Sequence, residues 1–100
     1  MPINRRQFEL GINDELQLIM EGVQKILSIN RKQAFSLYDL FAIKELNLDK
    51  DSSRDRDNLL YALKILEDLL AVETRLVHRT PYYATTGRIY DPTTWKILSS

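Results

Sequence analysis

Between Leu70 and Val72 the apolar period of this chain changes, and no other feature narrows the possible folds as much. Before the break, residues 53–70 read SRDRDNLLYALKILEDLL. At about 100° per residue, Leu59, Ala62, Leu63, Ile65, Leu66, Leu69 and Leu70 fall within an arc of roughly 160°, a wide core face for one helix. The other side carries Arg54, Arg56, Asp57, Leu60, Tyr61, Lys64, Glu67 and Asp68, both charge signs around one aliphatic and one aromatic residue. Such a face is either solvated or binds something. After the break, Val72, Thr74 and Leu76 alternate with Glu73, Arg75 and Val77, Pro81 interrupts, and YYATT resumes with β-favouring residues. This predicts a hairpin of about 72–79 and 82–88. Its turn lacks the favoured Asn-Gly pair, so a longer or bulged tip near His78 to Pro81 is expected.

Upstream, Asn13 is placed to cap a helix, with Asp14 and Glu15 in the first turn, where the helix dipole favours acids. This helix is predicted to run to about Ser28. Ile12, Leu16, Ile19, Met20, Val23, Ile26 and Leu27 form a stripe about 120° wide for the core. Leu18, Gly22, Lys25 and Ile29 form a second, weaker ridge, and Gly22 costs about 1 kcal/mol relative to alanine in a helix interior, which suggests a close neighbour there. Gln33 to Phe35 fits a very short strand. Ser36 and Asp39 have capping-box spacing and predict a second helix over about 37–46. NLDKDSS gathers turn formers, and Ser52 or Ser53 is placed to cap the third helix. Asp91 followed by Pro92 predicts a short C-terminal helix through Trp95, Ile97 and Leu98, with a final strand TTWKIL as the competing reading.

One hundred residues, 44% of them hydrophobic, suffice for a single core, and the expected division is an arm over 1–11, a domain over 12–90 and a C-terminal segment over 91–100. Cysteine is absent, which removes disulfides and thiolate chemistry and fits a reducing compartment. Fourteen basic and fourteen acidic residues cancel, which argues against bulk polyanion binding but leaves room for a local basic patch. No apolar run approaches the roughly 18 residues of a membrane span, and MPINRRQFEL lacks the core of a signal peptide. A soluble, cytoplasmic protein is expected.

The order helix, short strand, helix, helix, hairpin is that of a winged-helix domain. Leu63, Leu66, Glu67, Leu70 and Val72 resemble the end of a winged-helix third helix, and Tyr82, Tyr83, Thr85, Gly87 and Arg88 resemble the close of the wing in many bacterial and archaeal regulators of that superfamily. The likeness covers about residues 13 to 90. It implies an α+β, mainly α fold, a three-helix core with a two-stranded wing. It further implies double-stranded DNA as partner, with Arg54, Arg56, Tyr61 and Lys64 reading the major groove and Arg75, His78 and Arg79 as wing contacts. One departure is that NLDKDSSRD is longer and more acidic than the usual turn, which would set Asp49, Asp51, Asp55 and Asp57 near phosphates.

Read from the residues alone, Arg54 and Arg56 interleaved with Asp55 and Asp57 also describe a solvated, locally neutral helix start. Charged residues on the hairpin also describe protection against sheet-edge pairing. His78 is the sole histidine, so no metal site and no cofactor are expected. No nucleophile motif or glycine-rich phosphate loop accompanies the acids, so no enzymatic activity is expected. A homodimer is expected through Leu18, Gly22, Ile29, Trp95 and Leu98, which a monomer core does not require. The alternative to a DNA-binding regulator is a protein-interaction module anchored on Leu60 and Tyr61.

Overall fold

The structure, a computed structural model, describes residues 11–99. The expected N-terminal arm, Gly11 apart, lies outside the described residues. Helix α1 spans Asp14–Ile29, helix α2 spans Leu37–Phe41, a 3-10 turn follows at Lys44–Leu46, and helix α3 spans Ser53–Asp68. Strands β1 (Val72–Val77) and β2 (Thr80–Thr85) form one antiparallel pair, and β3 (Ile89–Tyr90) and β4 (Ile97–Ser99) form another. Three helices and a two-stranded hairpin make an α+β, mainly α chain with the winged-helix arrangement.

Side-chain caps set the helix starts. The Asn13 side chain accepts from the Leu16 N–H at 2.8 Å and leaves Asp14 and Glu15 in the first turn of α1. At α2, Ser36 and Asp39 form the reciprocal capping box, with bonds of 3.1 and 3.0 Å. α2 nonetheless ends at Phe41, short of the expected 46. Ile43 takes an extended backbone, which lets Ile43, Leu46 and Leu48 turn back onto the core as partly buried residues. Leu46 explains the helical glycine: a Cβ built on Gly22 would lie 2.6 Å from Leu46 Cδ2. Gly22 therefore accommodates a side chain of its own chain.

The core joins α1 and α3 to the wing. Leu16, Met20, Val23 and Leu27 of α1 meet Leu59, Ala62, Leu63 and Leu66 of α3, all buried as their stripes predict. The expected strand at Gln33 to Phe35 reduces to one bridge, in which the Phe35 N–H donates to the Tyr83 carbonyl at 2.8 Å and the Tyr83 N–H donates back at 2.7 Å. Since those Tyr83 groups point away from β1, Pro81, two residues earlier in β2, turns its missing N–H to that same outer edge. The β1 ladder loses nothing.

Leu70 does not join the core face; it is 58% exposed. It is the left-handed residue, φ 62°, that ends α3. The Ala71 N–H donates to the Leu66 carbonyl and the Leu70 N–H to the Glu67 carbonyl, both at 2.9 Å, a Schellman pair built without glycine. Removing the Cβ should relieve the left-handed cost, so Leu70→Gly is expected to raise stability by about 0.5 to 1 kcal/mol after the unfolded-state entropy of glycine is subtracted. Urea denaturation checks this, with Leu70→Ala, which keeps the Cβ, expected to gain nothing.

At the C-terminus the expected helix is absent, and of the competing strand TTWKIL only the last two residues, Ile97 and Leu98, are extended as part of β4; residues 93–96 form a turn and a connection. The Asp91 side chain accepts from the Thr93 N–H at 2.8 Å and caps a turn. Trp95 adopts φ 54°, its N–H donates to the Asp91 carbonyl, and the chain returns as β4 to pair with β3. Trp95 itself is fully buried within the single chain, so it is a core residue and not the dimer contact expected from the sequence.

Candidate nucleic-acid interface

Two elements present the residues that the sequence singles out. α3 begins on Ser52, whose hydroxyl accepts from the Asp55 N–H at 3.2 Å. The acidic turn ahead of it is occupied with its own backbone. Asp55 accepts from the Asp49 N–H at 2.8 Å, and Asp49 accepts from the Asp51 N–H at 2.9 Å. Two of the four acids that would oppose phosphate therefore have a structural task, satisfying turn N–H groups that no helix supplies.

Along α3, Arg54, Arg56, Leu60, Tyr61 and Lys64 are all exposed. Arg56, Leu60 and Lys64 follow one another at four-residue spacing and form one row. Asp57, Glu67 and Asp68 are exposed beside it, so the outer face of the helix is mixed in charge. Arg54 stands apart from the row. Its guanidinium pairs with Glu15 at 2.7 Å and ties the start of α3 to the start of α1, an exposed pair worth about 0 to 1 kcal/mol.

The hairpin is shorter and tighter than expected. Its strands end at Val77 and restart at Thr80, leaving His78 and Arg79 as a two-residue tip in place of a bulged loop. Both hold positive φ, 51° and 68°, the requirement of the type I′ turn that glycine and asparagine usually meet. The right-handed twist of the strands selects that turn even though the residues are not the preferred ones. Arg75 pairs with Glu73, two residues away on the same strand face, so it is partly neutralised. Beyond them Leu76 and Val77 stand in solvent, 73% and 48% exposed. Of the adjacent tyrosines, Tyr83 is buried and Tyr82 is half-buried, as opposite strand faces require. Burial, with the Glu67 charge adding to it, pushes the Tyr83 hydroxyl above the usual tyrosine range.

Sequence reasoning missed the polar groups that dock the C-terminal hairpin on α1. The Gln24 side-chain amide donates to the Tyr90 carbonyl at 2.9 Å and accepts from the Tyr90 N–H at 2.8 Å, acting as one more strand partner for β3. Gln17, two turns earlier, donates to the Pro92 carbonyl and accepts from the Trp95 indole N–H at 2.7 Å. The seven-residue spacing on one helix was the available signal.

Among the described residues, no group of three or more His, Cys, Asp or Glu is placed to hold a metal ion, and no helix is long and apolar enough to cross a membrane. In comparison with known proteins, the chain matches no protein-family model, no curated protein and no solved structure.

Proposed function

We propose that this chain is a DNA-binding winged-helix protein, a transcriptional regulator acting as a homodimer, whose wing tip holds the phosphate backbone while α3 meets the base edges. The observation that carries the reading is the tip. His78 and Arg79 occupy two left-handed positions of a tight turn, both exposed, where a cheaper Asn-Gly pair would present no cation. Non-glycine residues kept in strained turns concentrate at functional sites. Arg56 and Lys64 are the readers on α3, and Arg54, committed to Glu15, contributes less.

A second reading has its own support. With Asp57, Glu67 and Asp68 beside the cations, and Leu60 and Tyr61 37% and 48% exposed, the outer face of α3 also suits a protein partner anchored on those two side chains.

Fluorescence anisotropy with a labelled random duplex at about 50 and 200 mM salt separates the two. For the DNA reading, affinity falls steeply with salt, and Arg79→Ala weakens binding to all sequences and lowers the salt slope by about one unit. Arg56→Ala or Lys64→Ala instead changes the preference among sequences. No association at the lower salt would rule out DNA binding and leave the protein partner, whose complex Tyr61→Ala should disrupt without altering the fold.

A further inference from the structure

On the side of α1 away from the core, Leu18 and Ile29 are each 70% exposed. They border a groove of about 650 Å³ floored by Gly22, Ile26, Phe35 and Ile43. Neither the outer face of α3 nor the wing contributes to its lining, so it lies apart from both contacts of the proposed function. We propose that a second copy of this chain fills it: α1 crosses α1 antiparallel about a two-fold axis, and Ile29 of each copy seats beside Leu18 of the other. The inference rests on the homodimer reading and names its surface.

Helix geometry and charge order support this arrangement. Leu18 and Ile29 are three turns apart, on one side of the helix to within about 20° and separated by roughly 16 Å. A two-fold axis midway between them therefore makes both Leu–Ile contacts at once, as a self-complementary interface requires. The same register brings Lys25 of each copy within reach of Glu21 of the other. It also sets Asp14, at the acidic start of α1, against the basic stretch Arg31 and Lys32 that follows it. A parallel pairing would place like charges together. A small apolar molecule would satisfy the groove floor but would make no use of this charge order. Gly22, expected at the dimer contact, lines the groove with its backbone, while the space that a side chain there would take is filled by Leu46 of the same chain.

Sedimentation equilibrium of the full chain from about 1 to 500 µM tests the proposal. The wild type is expected to dimerise. Leu18→Asp or Ile29→Asp should weaken association by about 100-fold or more, with an unchanged circular dichroism spectrum, since both side chains are already in solvent. Glu21→Lys should weaken it by about tenfold, and Glu21→Lys combined with Lys25→Glu should restore it to within about threefold. A dimer indifferent to Leu18→Asp and Glu21→Lys overturns this surface and leaves the two-copy reading standing. A wild type that stays monomeric at the highest concentration overturns both, whatever its affinity for duplex DNA. A monomer that binds the apolar dye 8-anilinonaphthalene-1-sulfonate, and loses it on Leu18→Asp, assigns the groove to a small apolar ligand instead.

Discussion

Trp95→Ala should destabilise the protein by about 3 to 5 kcal/mol, a large share of the roughly 5 to 15 kcal/mol that holds a domain of this size together. The side chain is fully buried, so truncation opens a cavity where α1 meets the C-terminal hairpin. It also leaves the Gln17 side-chain amide oxygen without the indole N–H that now reaches it at 2.7 Å. Trp95→Phe separates the two effects. It retains most of the buried apolar area but not the donor, and should cost about 1 to 3 kcal/mol through the unsatisfied acceptor and the smaller ring. Because Trp95 is the only tryptophan, unfolding must be followed by far-ultraviolet circular dichroism in urea. A loss under about 1 kcal/mol for Trp95→Ala would mean that residues 89–99 are not part of the cooperative fold.

That tryptophan also marks the limit of what local pattern reveals. α1 and α3 were legible because their caps and apolar stripes are local signals: Asn13 and Ser36 cap as their positions predict, and of Ser52 and Ser53 it is Ser52 that caps α3. The C-terminal segment was not legible. Asp91-Pro92 carries the local signature of a helix start, but its outcome depends on Gln17 and Gln24 more than sixty residues away. Two glutamines on a helix read as solvated residues until the strand they bind is known. The end of α2 was missed for a related reason. Leu46 continues a helical stripe in sequence, and only the notch at Gly22 gives it a better place outside the helix.

The candidate site divides in the same way. That Arg56, Leu60, Tyr61 and Lys64 lie outward followed from the 100° period, since the core face of α3 left them no other place. That Arg54 is held by Glu15 did not follow, because the pair joins two helices whose packing the sequence leaves open. The wing tip shows the opposite error. Propensity disfavours His-Arg at a two-residue turn, yet strand twist and the register from Val72↔Thr85 to Val77↔Thr80 impose it.

Leu66→Ala is expected to cost about 2 to 5 kcal/mol, and paired with Leu60→Ala it tests the division of α3 into two faces. Leu66 is fully buried in the core cluster that α1, α3 and the wing share. Its backbone carbonyl accepts the Ala71 N–H that closes the helix, and alanine keeps that bond, so the loss measures side-chain packing alone. Leu60 is the same residue type on the same helix but 37% exposed, and its truncation should cost only about 1 kcal/mol. Urea unfolding of the two variants gives the difference directly. A loss under about 0.5 kcal/mol at Leu66 would mean that the core face is wrongly placed, and with it the row Arg56, Leu60 and Lys64. If the difference holds, Leu60→Ala becomes the cleaner probe of function. A protein partner anchored on Leu60 would lose affinity with the fold intact, whereas a duplex held by Arg56, Lys64 and the wing tip would lose little.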